Sequence, residues 1–299
     1  MRIDPNIVPE MLANLQQSQV SLDTALQQVS TGLSVNEPSD NPTNAAAMVE
    51  NTIQTGDLDV YTQNVSTALS TVQTASSVLS SLVTSLTSAV SAGTEGANGT
   101  NSSTDLASLA NEVQGILTSA VTAANTSVSG TYLFGGSGTT TPYTADASSS
   151  TGYTYNGNDD TNSVAVGDQT SVQVNLPGSQ IFSSSSNNVL GALSSLVTAL
   201  QGGNSSDIQT ATASVDSALN YVSQQQVFYG NAETQLNSQE TFLEQDKVTL
   251  STQANSLIGV NESTAATDLS QAETDNSAAL AAVAKVLPNN LLNYLAPPA

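Results

Sequence analysis

Between Val8 and Leu33 the positions Leu12, Leu15, Gln19, Leu22, Leu26, Val29 and Leu33 follow one another at alternating steps of three and four. This is the spacing of a seam along one helix face. Burying each Leu or Val is worth roughly 1.5–3 kcal/mol, so such a helix needs a packed partner. The alternation returns from Leu58 through Tyr61, Val65, Ala68, Val72, Ala75, Leu79, Leu82, Leu86 and Ala89, and predicts a long helix closed by the Gly-rich stretch Gly93–Gly99. A third helix is expected after Thr104, with Leu106, Leu109, Val113, Ile116, Ala120 and Ala123 inward and its end near Ser129-Gly130. The most regular pattern is Val215, Val222, Tyr229, Leu236, Leu243, Leu250 and Leu257, one apolar residue every seven. A heptad sustained over that length predicts a rod.

Between the helices the polar positions carry the punctuation. Pro38 and Pro42 keep Ser34–Pro42 out of the first helix, and Asn41 followed by Pro42 is a start signal for the second. From Tyr132 to Phe182 Gly, Thr, Asn and Asp dominate, and Val164-Ala165-Val166 and Val172-Gln173-Val174 alternate as short strands joined at Gly167-Asp168. Asn156-Gly157 is read as a second hairpin turn. Helical pattern resumes at Val189, Leu193, Leu196 and Leu200, breaks at Gly202-Gly203, and restarts with Ser206 or Asp207 as cap. A last helix from Ser263 carries Leu269, Ala272, Ala279, Leu280, Val283 and Leu287 to Pro288, which is expected to stop it. Leu291, Leu292, Asn293, Tyr294 and Leu295 then form an apolar tip.

The expected fold is mainly α with a small β insert: an elongated, multi-helix coiled-coil rod made of N- and C-terminal segments, plus a central β domain. Residues 1–42 with 262–299 form a terminal helical core, 43–130 with 188–261 the rod, and 131–187 the β domain. Both ends are apolar and helical, so the two termini are expected to pair.

Composition narrows the partners. Formal net charge is −22, and the basic residues are Arg2, Lys247 and Lys285. A chain without a Lys/Arg patch cannot displace counterions from phosphates or settle on an anionic bilayer, so neither nucleic acid nor membrane is an expected partner. Hydrophobic residues make up 38% of the chain and aromatic ones 4%, which suits helical layers better than one thick core. Between Met11 and Asn36 the ionised side chains are Asp23 alone. Salt bridges therefore do not write the pairing code of the first helix, which suits packing among several neighbours in an assembly or a core helix of a monomeric bundle. No signal peptide is legible at the N-terminus, and the longest apolar run, Ala278–Leu287, is half of the ~20 residues a membrane span needs.

Chemistry finds little to work with. The chain has no Cys and no His, which removes thiolate chemistry and the commonest general base. Phe134-Gly135-Gly136-Ser137-Gly138 precedes no helix or Lys, as a phosphate loop would. Asn158-Asp159-Asp160 lacks the spaced ligands and bidentate Glu of a calcium loop and reads as a solvated turn. No cofactor or metal is expected, and no enzyme.

Four segments occur in a telling order: Thr31-Gly32-Leu33-Ser34-Val35-Asn36-Glu37-Pro38-Ser39-Asp40-Asn41-Pro42, Tyr132-Leu133-Phe134-Gly135-Gly136, Val172-Gln173-Val174-Asn175-Leu176-Pro177-Gly178 with Phe182, and Leu291-Leu292-Asn293-Tyr294-Leu295. They resemble segments of the flagellin superfamily, and more closely those of its hook-associated junction members. Filament-forming flagellins lack the two loop prolines and the Tyr-Leu-Phe-Gly-Gly step. The resemblance implies a ring of subunits with the terminal helices innermost as a polymerisation core. Its assembly interface would use Leu12, Leu15, Leu22, Leu26, Val29, Leu33, Leu269, Leu280, Val283, Leu287, Leu291, Leu292, Tyr294 and Leu295. The family loop motif would be Gly32, Leu33, Asn36, Pro38, Asp40 and Pro42. Implied partners are further copies of the chain, a proximal hook-associated protein, flagellin and an export chaperone, with a place on the extracellular flagellum reached by type III export without a cleavable signal. The alternatives are a filament-forming flagellin, or a secreted adhesive, glycan-binding stalk protein with Tyr143, Tyr153 and Tyr155 as its contact surface.

Overall fold

In a computed structural model of the chain, the backbone is described for residues 7–295 apart from 150 and 186, and the side chains for residues 9–285 with the same two exceptions. Long helices dominate: α1 (Ile7–Thr31), α2 (Pro42–Gly96), α3 (Ser103–Ala124), α5 (Val189–Gly202), α6 (Ser205–Ile258) and α7 (Glu262–Leu295), with a single turn, α4 (Gly178–Ile181), between the strands and α5. Six short strands, β1 (Ser127–Val128), β2 (Thr131–Tyr132), β3 (Tyr143–Ala145), β4 (Tyr153–Tyr155), β5 (Ser163–Ala165) and β6 (Ser171–Gln173), pair as antiparallel hairpins in sequence order.

The helix starts follow from side chains that satisfy otherwise orphaned N–H groups. Asn41 Oδ1 accepts from the Asn44 N–H at 3.1 Å, ahead of Pro42. Ser102 Oγ accepts from the Asp105 N–H while the Asp105 carboxylate accepts from the Ser102 N–H, a reciprocal capping box. The Ser102 donors hold the Asp105 carboxyl below its ordinary value. Asn188 caps α5, and Gly203, at φ 71°, closes it in the left-handed region. The cap of α6 is Asn204, whose Oδ1 accepts from the Ser206 N–H, and not Ser206 or Asp207. Along the exposed faces Thr62, Thr74, Thr87 and Thr94 donate to carbonyls four residues back, so hydroxyl-rich stretches stay helical with their polar atoms bonded.

Contacts divide the chain into two compact units, Met1–Asp57 with Gln245–Ala299, and Leu58–Glu244; α2 and α6 each contribute to both. The core of the second unit follows the predicted stripes except on α3, where Leu117 and Ala124 are buried and Ile116 and Ala123, expected inward, are only partly covered. Val65, Val72, Leu79, Leu82 and Leu86 of α2 are buried with Val215, Val222, Tyr229, Leu236 and Leu243 of α6, together with Leu109, Val113 and Leu117 of α3 and Leu193, Leu196 and Leu200 of α5. By length and composition alone α2 could cross a membrane, which outranks the sequence's choice of Ala278–Leu287. Its apolar stripe is spent on this core. Gly93 has no room for a Cβ against Thr212, so a glycine there lets α2 and α6 approach closely.

The hairpins close over the same core. Phe134 and Phe182 meet edge to face at 5.2 Å, and Tyr143 packs edge-on to Phe182 at 5.9 Å. The Tyr143 hydroxyl donates to the Gly178 carbonyl at 2.8 Å and lies 2.8 Å from Ser183 Oγ. Helix side chains bond to the backbone of the insert: Asn64 Nδ2 donates to the Ala165 carbonyl and Gln239 Nε2 to the Val166 carbonyl at 3.0 Å in the β5–β6 hairpin, and Tyr221 Oη to the Gln180 carbonyl of α4. Gln239 occupies a heptad position of α6, so that seam residue anchors the β insert.

Several expectations need correction. The third helix stops at Ala124 rather than near Gly130, because Ser129 and Gly130 take positive φ, 52° and 83°, and turn the chain into the β1–β2 hairpin. Asn156-Gly157 joins no paired strands. β4 pairs with β3, through the connection Asp146–Gly152, and Asn156 instead donates its N–H to the Pro142 carbonyl. Local turn preference gave way to the cross-strand Tyr143 and Tyr155 pair, 5.1 Å apart. Pro288 does not stop the last helix, whose backbone continues to Leu295. A proline removes one hydrogen bond, to the carbonyl of residue 284, and the Ala- and Leu-rich turns flanking it sustain the helix. The hairpin prediction for 164–174 matches β5 and β6, with Val164 facing Val172.

Two measurements test this account. Tyr229 Oη accepts from the buried Leu176 N–H at 3.1 Å, and burial raises the phenol's pKa well above normal. Tyr229→Phe leaves that N–H unpaired, and urea unfolding should show a loss of about 1–3 kcal/mol. Asp146 accepts from the Ser148 and Thr154 hydroxyls, which lower its carboxyl to about 2. A depressed carboxylate stabilises above the ordinary pKa and loses that contribution as pH falls toward the depressed one. An NMR titration should therefore place the Asp146 midpoint near 2; an ordinary carboxylate midpoint would remove the hydroxyl contacts from solution.

Candidate functional site

The first unit is organised by its two helix pairs and by the loop that turns α1 into α2. α1 and α7 pack along each other in opposite directions: Leu33, two residues beyond α1, forms an isolated bridge with Gly259, shortly before α7 begins. Termini that pair were the expectation. The contacting stripe is Met11, Leu15, Ser18, Leu22 and Ala25 on α1, and Ala265, Leu269, Ala272, Asn276, Ala279 and Val283 on α7. Both follow steps of four and three. Ala25, Ala265 and Ala272 are the fully buried members, small residues that let the axes come close.

The seam drawn from the sequence is therefore split. Leu15, Leu22, Leu33, Leu269 and Val283 are partly covered, whereas Leu12, Leu26, Val29 and Leu280 are exposed at 48%, 55%, 43% and 48%. A single covering helix hides one flank of a broad apolar face, and here the flank through Ala25 is chosen because an alanine admits closer packing than Leu26. Val20, exposed at 57%, lies on the opposite face of α1 from Val29. Sequence reasoning missed Val20, Ala25 and Ala265; the four-three repeat Ala265, Leu269, Ala272, Asn276, Ala279, Val283 was the available signal. The side chains of Leu287, Leu291, Leu292, Tyr294 and Leu295 lie outside the described residues.

Two polar atoms inside this stripe, Ser18 Oγ and Asn276 Oδ1, are buried without a hydrogen-bond partner. An apolar pair at those positions would be more stable in isolation. Buried polar atoms of this kind can select one register among many similar apolar ones, at a cost in stability.

The loop residues are brought together as a network. Gly32 caps α1 at φ 72°. Thr31 Oγ1 donates to Asn36 Oδ1 at 2.8 Å, and Asn36 Nδ2 donates to the Leu33 carbonyl at 3.1 Å. Asp40 Oδ2 accepts from the Asn36 and Glu37 N–H groups at 3.0 and 2.9 Å, which fixes the turn that Pro38 bends. Pro42 then opens α2. The loop is clasped to the α6–α7 connection: the Ser34 N–H donates to the Ile258 carbonyl at 2.6 Å, and the Val260 N–H to the Gly32 carbonyl at 3.0 Å. Asn44 Nδ2 donates to the Leu257 carbonyl and the buried Asn51 Nδ2 to the Leu250 carbonyl, at 2.7 and 2.9 Å. These asparagines are ladder contacts between α2 and α6 that periodicity could not foresee.

The other surfaces weighed in the sequence resolve differently. Tyr143 is buried, and Tyr153 and Tyr155 pack partly covered against the core, so they form no contact surface. Asp159 and Asp160 accept from the Ser179 and Ser137 hydroxyls, which tie this turn to segments elsewhere in the insert. Among the described residues no group of three or more Asp or Glu is placed to hold a metal ion.

Fold and site define a class: a helical protein whose chain ends pair with each other and whose β hairpins are inserted between the two halves. The bacterial flagellin N-terminal helical region matches residues 6–139 and the bacterial flagellin C-terminal helical region matches residues 212–295. The chain belongs to the flagellin family. No curated protein sequence matches it. Among solved structures it is similar to a flagellar hook-associated protein of Vibrio parahaemolyticus, at 18% identity and a TM-score of 0.68 over 74% of this chain and 100% of that one. It is also similar to the flagellar junction protein FlgL of Legionella pneumophila, at 17% identity and 0.60 over 72% and 100%, and to Bacillus cereus FlgL, at 20% and 0.60 over 69% and 99%.

Two variants probe the site. Asp40→Ala should free the Asn36 and Glu37 amides, raising their hydrogen-exchange rates and costing about 1–2 kcal/mol locally. Asn276→Leu should raise the melting temperature of the full chain by removing an unpaired buried carbonyl; unchanged or lower stability would mean that this oxygen finds a partner in solution.

Proposed function

We propose that the chain is a structural adaptor of the bacterial flagellum. Copies of it form a ring that meets a hook-associated protein on one face and receives flagellin on the other. The observation that carries this reading is the exposed apolar flank of α1 and α7, Leu12, Leu26, Val29 and Leu280, beside a flank already satisfied within the chain. A monomer gains nothing from that exposure, whereas a polymer of parallel subunits covers it. Membership of the flagellin family, and a fold shared with proteins called FlgL and hook-associated, favour the junction over the filament.

In this reading residues 1–42 with 262–299 are the polymerising core, and Leu287, Leu291, Leu292, Tyr294 and Leu295 extend its interface. Residues 43–130 with 188–261 form the rod and 131–187 the outer β domain. The Gly32, Leu33, Asn36, Pro38, Asp40 and Pro42 loop holds the core's two halves in register through the Ser34 and Val260 bonds. The chain works by contact alone, without catalysis or cofactor, after type III export with an export chaperone. The low charge of α1 suits a helix that must pack against several neighbours.

A strain lacking the protein should build hooks and shed flagellin monomer into the medium; normal filaments in that strain would end the proposal. Leu26→Glu with Val29→Glu should give the same phenotype while leaving the circular dichroism of the purified chain unchanged, since both side chains are exposed in the monomer. If the pure protein instead grows long fibres unaided, it is a filament subunit.

A further inference from the structure

We propose that Asn98 is a self-modifying site: its side-chain amide is displaced by the Gly99 backbone nitrogen, giving a succinimide that hydrolyses to aspartyl and isoaspartyl residues, an ageing mark on the α2–α3 turn.

The chain has two Asn-Gly steps, Asn98-Gly99 and Asn156-Gly157, and the structure treats them oppositely. Asn98 is exposed in the turn between Gly96 and Ser103. Its Oδ1 accepts from Thr100 twice, from the hydroxyl at 3.1 Å and from the N–H at 3.4 Å. This Asx-type turn folds the side-chain amide back over the following peptide. Two donors on Oδ1 also stabilise the negative charge that develops on that oxygen when Cγ is attacked. The Gly99 N–H is given to no acceptor in the turn, and nothing lies within 4 Å of where a Gly99 Cβ would be. The nucleophile is therefore free, and the glycine can adopt the dihedrals that ring closure needs.

Asn156 is exposed as well, but its side-chain amide and the following glycine are engaged differently. Its Nδ2, the leaving group, donates to Thr144 Oγ1 at 2.8 Å, and its N–H to the Pro142 carbonyl at 2.7 Å. Gly157 lies under the Tyr155 ring, which leaves no room for a Cβ.

The step balances without an added reagent. Solvent base takes the Gly99 amide proton and the nitrogen lone pair forms a bond to Asn98 Cγ. The Cγ–Nδ2 bond breaks, and Nδ2 leaves as ammonia after taking a proton from water. Water then opens the ring. Cleavage of the bond between Gly99 N and Cγ gives the aspartyl product. Cleavage of the bond between Gly99 N and the position-98 carbonyl carbon gives the isoaspartyl product, whose backbone is one methylene longer. Each event adds a carboxylate to a chain already at −22.

The test uses the full chain, aged at pH 8 and 37 °C and cut after glutamate, which isolates residues 96–112. That peptide should gain about 1 Da at Asn98 and give isoaspartyl and aspartyl isomers separable by chromatography. Asn156 should convert at least about tenfold more slowly, corresponding to ~1.4 kcal/mol in barrier. In ~8 M urea, where the fold no longer distinguishes them, the two Asn-Gly steps should converge. Thr100→Val should slow the native-state reaction several-fold, with no change in urea. Equal native rates at Asn98 and Asn156 would overturn the proposal. An unchanged rate in Thr100→Val would overturn the part assigned to its hydroxyl.

Discussion

Everything in this molecule depends on the heptad of α6. One apolar residue every seven, from Val215 to Leu250, is buried along a helix of 54 residues. Seven residues fall only about 20° short of two whole turns, so a stripe one residue wide can keep facing its neighbours. In the Leu58–Glu244 unit those neighbours are α2, α3 and α5; in the other unit the same helix meets α2 through Asn51 and Asn44. The stripe is narrow because most of the intervening residues are polar. The chain therefore buries alanine, valine and leucine in thin layers, and has no use for a tryptophan.

Polar side chains do the work that charge does elsewhere. With 3 basic residues against 25 acidic ones, ion pairs cannot specify which helix meets which. Side-chain bonds to backbone carbonyls take that role: Asn44 and Asn51 amides on α6, Asn64 and Gln239 amides on Ala165 and Val166 at the end of β5, and the Ser34 hydroxyl on Ile258 at the end of α6. Such bonds are insensitive to salt and to moderate pH changes, unlike surface ion pairs.

The α1–α7 pair shows the opposite economy. Its contact rests on three buried alanines and carries two unpaired polar atoms, while larger side chains stand exposed beside it. The pair is thus weaker than it could be, with its strongest apolar groups unspent. The Asp40 turn and the Gly32 cap hold its end in place meanwhile.

The amino-acid sequence by itself determined the long helices, their buried faces in the core unit, the caps at Asn41 and Gly203, and the β5–β6 hairpin. Each of these depends on residues within a turn or two of one another, and period and cap are local quantities. Motif order also carried the family, through Thr31–Pro42 and Tyr132–Gly136. Only the tertiary structure decided that α7 takes the Ala25 flank of α1 and leaves Leu26 bare, since both flanks are apolar and the choice lies in how closely two axes approach. It decided likewise that Tyr155 pairs back with Tyr143 rather than turning at Asn156-Gly157, and that α7 runs on through Pro288. In each case a contact between residues distant in sequence, or the cooperativity of a long helix, outweighed a preference of about 1 kcal/mol that a single residue can express.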